Sequence, residues 1–204
     1  MPVTGDTVTP VQLSFFAADS QAPDVADVEG LLAGPGQTVT VGDEARISVV
    51  ADAEWRAEAL LEAFALRGLG GGRTTTVEGR GAVRTDFSPL LRPMAAAWAR
   101  GAVKAPPAGF VLDGPRLRFW AVAAGRADDH GYLLPLGEAD LASWEAVGGA
   151  LAAAGLAAAL LGPRGGGPAY RVTGRKRLLR LAELVGEPPA GAGPGDWPQP
   201  SNHS

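Results

Sequence analysis

Apolar and polar positions along this chain change period several times. Ala57, Leu60, Leu61 and Phe64 recur at i, i+3, i+4 and i+7, with Glu58 and Glu62 between them. That stripe predicts an amphipathic helix, with Asp52 as its N-cap and Gly68 at its end. On either side the period falls to two. Thr38 to Ala51 reads as a hairpin turning at Gly42-Asp43-Glu44, and 73–87 as another turning at Gly79-Arg80-Gly81. A shorter helix is predicted from about Pro23 to Leu32, stopped by Gly34-Pro35-Gly36, and a further one is opened by Ser88-Pro89 as N-cap and first residue.

The second half repeats this order. Met94 to Phe110 reads as a helix and turn. After Pro106-Pro107 come a strand at 110–113, a turn at Gly114-Pro115 and a strand RLRFWAVAA at 116–124. A polar loop, GRADDHG, leads to the strand YLLPL (132–136). Asp140 or Ser143 caps a helix over about 141–154, the stretches 156–162 and 169–174 pair around Gly165-Gly166-Gly167, and Lys176 to Val185 is a last helix. Three local matches tie the halves together: Trp55 with Trp144, 89 residues apart, AVR (82–84) with AYR (169–171), 87 apart, and LLR (90–92) with LLR (178–180), 88 apart. Matches at nearly one spacing in one element order imply an internal duplication. The expected organisation is an N-terminal arm (1–23), a first repeat (24–92), a second repeat (93–185) and a Gly- and Pro-rich tail (186–204) whose composition predicts disorder.

An α+β chain built of αββαββ twice, with a closing helix, resembles the LAGLIDADG homing endonucleases. VEGLLAGPG (28–36) is similar to the signature at Gly30, Leu31, Leu32 and Gly36, and ARGAVKAPP (99–107) at Ala99, Gly101, Ala102, Val103 and Ala105. The second copy also resembles the degenerate endonuclease-like domain of the actinobacterial WhiA-type regulators. The resemblance, over about residues 24 to 185, implies two signature helices side by side at a pseudo-twofold axis and two antiparallel sheets forming a saddle over duplex DNA. Family nucleases hold divalent metal with a carboxylate at the eighth motif position, which here is Pro35 and Pro106, while the sixth positions are Ala33 and Lys104. Proline offers no oxygen ligand to a hard cation. The expectation is a silent nuclease: not an enzyme, with no cofactor and no metal.

Composition narrows the alternatives. The absence of cysteine rules out disulfides, thiolate metal sites and cysteine nucleophiles. His130 beside Asp128 and Asp129 reads as an ordinary loop residue, and the glycine-rich GLGGG (68–72) and GPRGGG (162–167) read as hairpin turns rather than phosphate cradles. No apolar run approaches the ~18 residues of a membrane span, and no charged-then-apolar leader opens the chain, so a cytoplasmic protein is expected, nucleoid-associated if it binds DNA. The net charge is −4, but all 18 Lys and Arg lie between Arg46 and Arg180, leaving residues 31–182 at +4 between acidic ends. That balance is compatible with phosphate contact.

Strand alternation gives the candidate interface. Arg46 lies opposite Ile47 and Val49, Arg84 opposite Val83, and Arg171 opposite Tyr170 and Val172, while Arg116, Arg118 and Trp120 share one face of the predicted 116–124 strand. With Arg73, and with Arg175, Lys176 and Arg177 opening the last helix, these are the expected DNA-binding residues, arginines being suited to phosphates and guanine edges. The expected function is a non-catalytic DNA-binding regulator of transcription or chromosomes, monomeric because the duplication supplies its own pseudo-dimer. Separately, Gln12-Leu13-Ser14-Phe15-Phe16 resembles the peptides by which bacterial repair and replication proteins hold the sliding clamp, through Gln12, Leu13, Phe15 and Phe16 as partner-binding residues. A clamp-tethered accessory is therefore an alternative, and a ligand- or protein-interaction module is a third.

Overall fold

The computed structural model describes residues 22–199 apart from 138, 140, 163, 165 and 166, so the Asp140 cap, the Gln12 to Phe16 peptide and part of the last glycine turn lie outside the described residues. A 3-10 turn (Val25–Val28) is capped by Asp24, whose carboxylate accepts from the Ala26 amide, and leads into α1 (Glu29–Ala33). There follow β1 (Gln37–Val41), β2 (Glu44–Val50), α2 (Glu54–Ala65), β3 (Gly71–Thr75), β4 (Gly81–Thr85), a 3-10 turn (Pro89–Leu91) and α3 (Arg92–Trp98). A small hairpin, β5 (Ala99–Arg100) and β6 (Val103–Lys104), links this half to α4 (Gly114–Ala124), β7 (Arg126–Asp128), β8 (Gly131–Pro135), α5 (Leu141–Ala153), β9 (Ala159–Leu161), β10 (Ala169–Val172) and α6 (Arg175–Val185).

The two large sheets have one topology, β1-β2-β4-β3 and β7-β8-β10-β9, with every pairing antiparallel. The fold is α+β and internally duplicated on the LAGLIDADG-like saddle plan, and the paired sequence matches fall on equivalent elements: AVR and AYR on β4 and β10, Trp55 and Trp144 on α2 and α5. Ile47, Val49 and Val83 of the first sheet and Tyr132, Leu134 and Val172 of the second are buried in a core shared with the helices.

Five expectations are corrected. The N-cap of α2 is Ala53, Asp52 pairing with Arg80 instead, and 110–113 forms no strand. RLRFWAVAA is helix α4, not a strand: Asp113 caps it by accepting from the Arg116 amide at 3.0 Å, and Pro115 stands in its first turn. Arginines alternating with Leu117 and Phe119 imitate a half-buried strand, whereas α4 is buried on nearly every side and so shows no helical stripe. The stretch 99–107 is a hairpin and coil, so the partner of α1 is α4, and the join between the halves lies between α3 and α4 rather than at 92/93. The segment 186–199, expected to be disordered, packs on the core. Trp197 is buried and its indole donates to the Gly186 carbonyl at 2.9 Å, and the Tyr132 hydroxyl donates to the Asp196 carbonyl.

α1 and α4 cross in direct contact. A Cβ on Gly30 would lie 1.8 Å from the Arg116 carbonyl oxygen, and one on Gly34 would lie 2.4 Å from the Trp120 ring. Arg116 fastens the crossing, ion-pairing with Glu29 of α1 at 2.9 Å and with Asp113 at 2.6 Å, while Glu29 also accepts from the Trp98 indole. Because the obstacle at Gly30 is backbone, the added methyl of Gly30→Ala must separate the helices. A loss of about 2–3 kcal/mol is expected, the scale of overpacking a tight core. Thermal unfolding should show it as a fall of roughly 5–10 °C; a midpoint within a degree of the unmodified protein would refute the close crossing.

Candidate nucleic-acid interface

Facing pairs across the ladders define the sheet surfaces turned away from the helices. In the first sheet the register aligns Gln37, Ser48, Arg84 and Gly72 in one row, and Val39 with Arg46 in the next. In the second sheet the corresponding row is Arg126, Leu133, Arg171 and Ala159. Arg84 and Arg171 therefore occupy the same point of two topologically identical sheets.

Their surroundings differ. Arg84 is exposed, and its side chain makes no ion pair or hydrogen bond with any described residue. Arg46 lays its guanidinium over the Phe87 ring at 4.7 Å, which holds it on the surface without neutralising it. Beside it the edge strand β1 leaves Val39 42% and Val41 61% exposed, an apolar strip next to the arginines. Arg171 ion-pairs with Asp128 at 2.6 Å, and its Nε is buried without a partner. Burial pushes the Asp128 carboxyl up, but the amides of His130 and Gly131 and the Arg171 guanidinium outweigh it and hold the group below its ordinary value. His130 is thus a turn residue whose amide donates to Asp128 at 2.9 Å.

The remaining expected contacts go elsewhere. Arg73 points to the helix side of its sheet and pairs with Glu54 and Glu58 of α2. Arg116 is the α1–α4 clasp. Arg118 donates to the Val185 and Glu187 carbonyls at 2.7 and 2.6 Å and covers the Trp197 ring, and Trp120 is fully buried, donating to the Pro135 carbonyl. All three leave the predicted sheet face because that strand is a helix. Arg175, Lys176 and Arg177 are exposed in the first turn of α6, which packs on α4, so they sit beyond the end of β10 rather than on its outward face. Gln12, Leu13, Phe15 and Phe16 lie outside the described residues. Sequence reasoning missed Arg126, since β7 is three residues long and hidden in a polar loop. The alternation of Arg126, Ala127 and Asp128 before a turn was its one signal.

The residues at the helix ends do not fit the divalent metal that the family resemblance implies. α1 is followed by Pro35 and α4 ends in Ala124 and Gly125, so neither supplies a carboxylate. The carbonyls of Gly34 and Gly36 accept instead from the Lys104 ammonium, at 2.6 Å for Gly36. No group of three His, Asp or Glu side chains able to hold a metal occurs among the described residues, and none of the described helices is long and apolar enough to cross a membrane.

No protein-family model matches this chain, and no curated protein matches it either. Among solved structures it is similar to the homing endonuclease I-WcaI, described as bound to its DNA recognition sequence. The TM-score is 0.57 at 10% identity, over 78% of this chain and 80% of that one. The likeness is one of fold: a LAGLIDADG-like architecture with another sequence.

Lys104 gives this region a pH signature. Burial pushes its amine down to about 7, against an ordinary value near 10.4 in the unfolded chain. Between those values the unfolded chain binds the extra proton, so stability rises with pH through the window, and the cost is fully present below about 7. Urea unfolding midpoints at pH 7 and 9 should therefore climb more in the unmodified protein than in Lys104→Met. Parallel profiles would contradict the depressed amine.

Proposed function

We propose that this chain binds double-stranded DNA across the outward faces of its two sheets and does not cut it, acting in regulation or chromosome maintenance. The observation that carries this reading is the equivalent placement of Arg84 and Arg171 in two sheets of identical topology, with Arg46 on the strand next to Arg84 and Arg126 in the row of Arg171, across Leu133. Two like sheets with arginines at corresponding points, Arg84 unpaired and Arg171 paired with Asp128, suit the repeating backbone of a duplex, whose phosphates fix position while base edges carry sequence. The exposed Val39 and Val41 add apolar surface of the kind that meets thymine methyl groups in the major groove. The fold likeness to a homing endonuclease bound to DNA supports the same reading. Proline after α1 and an Ala-Gly end to α4 support a non-catalytic one, since metal-assisted phosphodiester cleavage needs oxygen ligands there. One copy supplies both sheets, so a monomer suffices. A sliding-clamp tether through Gln12 to Phe16 rests on those residues' pattern alone and would accompany DNA binding rather than replace it.

Fluorescence anisotropy on a labelled duplex tests the first part. With about four phosphates contacted, affinity should fall roughly 100-fold from 50 to 200 mM salt. Arg84→Ala should reduce the slope of log K against log salt by about 1. Salt-independent binding, or a slope unchanged in that variant, would remove the sheet face from the interface. For the second part, supercoiled plasmid incubated with the protein and Mg²⁺ or Mn²⁺ should stay supercoiled. Metal-dependent nicking or linearisation would overturn the non-catalytic reading.

A further inference from the structure

On the side of the molecule formed by helices rather than sheets, α2, α4 and the C-terminal segment enclose a groove of about 590 Å³. That is the size of a site that takes a ligand or a few large side chains. Ala59 and Ala63 of α2, with Leu66 capping its end, form one wall, Phe119 and Val122 of α4 the floor, and Pro188-Pro189 the far rim. Leu66 is 64% exposed at its edge, a large apolar side chain with no cover. The two cations of the groove are already bound: Arg67 donates to Asp27 at 2.6 Å and lies over the Phe119 ring, and Arg118 donates to the Val185 and Glu187 carbonyls. Glu58 and Glu62 line it from the exposed face of α2. The groove therefore has apolar surface to cover and no uncommitted cation for an acidic ligand.

We infer that the occupant is the chain's own N-terminal segment, with Leu13 and Phe15 entering the groove. Three observations support this choice. Pro23 is itself part of the groove wall, so the preceding chain starts at its rim. The seven steps of chain from Phe16 to Pro23 reach at most about 25 Å when extended, enough to turn back over α2 and α4. The stretch Thr7 to Ala18 carries no charge and holds the chain's first large apolar cluster, Leu13-Ser14-Phe15-Phe16, which suits a groove whose cations are committed. In an extended peptide Leu13 and Phe15 share one side, and Phe16 takes the other. Extended segments anchored by alternate side chains are a standard way to fill such a groove.

The test is chymotryptic cleavage after Phe15 and Phe16 in the full chain, followed by mass spectrometry, with a synthetic peptide of residues 7–22 as the reference. Cleavage of a docked segment follows its undocked population. The unmodified protein should be cut at least about tenfold more slowly than the peptide, equivalent to about 1.4 kcal/mol of docking. Leu66→Glu, at an exposed position, and Ala59→Arg, which fills the groove, should each restore a rate near that of the peptide without lowering the unfolding temperature. Cleavage of the unmodified protein at the peptide's rate would overturn the inference. So would protection that survives both substitutions, which would place the segment on another surface.

Discussion

Everything in this molecule depends on how closely α1 approaches α4. Five residues are too few for a helix to persist by itself, because so short a run cannot repay the cost of nucleation. α1 exists because Gly30 lets its backbone rest on the Arg116 carbonyl and Gly34 lets it rest on the face of Trp120. The crossing joins the two halves and sets the relative placement of their sheets, since β1 and β7 leave from the ends of the two helices. Any cation presented by either sheet is positioned, at one remove, by a glycine with no side chain.

Close packing of helices has an electrostatic consequence. Their C-terminal carbonyls lack intrahelical donors, and here those ends lie partly out of water. Three cations satisfy them, each from a different element. Lys104 on β6 serves the end of α1, Arg56 on α2 donates to Ala121, Val122 and Gly125 at the end of α4, and Arg118 on α4 reaches Val185 at the end of α6. A positive charge at a helix C-terminus is also favoured by the macrodipole. Arginine in this chain thus divides between two tasks. Arg56, Arg67, Arg116 and Arg118 hold helices together, while Arg46, Arg84 and Arg126 stand on the sheet faces.

That division explains what could and could not be read from the chain. The first half was legible because α2 lies on the surface of the core, and its stripe of Ala57, Leu60 and Phe64 reports which side is buried. The duplication was legible because AVR and AYR keep equal places in equal strands. α4 was not, since a helix wrapped by neighbours has no polar face to set the period, and its two arginines happen to fall two residues apart. Asp113 followed by Gly-Pro, a cap and a first-turn proline, was the stronger evidence for a helix there. The segment 186–199 was misread for a related reason. Its composition suits a mobile chain, yet one large side chain, Trp197, and hydrogen bonds from Trp197, Tyr132 and Ala127 are enough to hold it to the core. Burial of a tryptophan can outweigh the loop entropy of many glycines.

The end of α1 carries a different set of groups from the one the resemblance implies. Where the resemblance implies two acids around a divalent ion, this chain has Pro35, an Ala-Gly end on α4 and an ammonium group between the backbone carbonyls. The substitutions are coupled. Without the carboxylates, the carbonyls at this buried crossing would lack a donor, and an ion with no acidic ligands could not supply one. A lysine delivered by the linking hairpin fills the need with an amine donor that belongs to the protein. In this chain the closing of the helix crossing and the placing of a lysine amine on the carbonyls at the end of α1 are one physical arrangement.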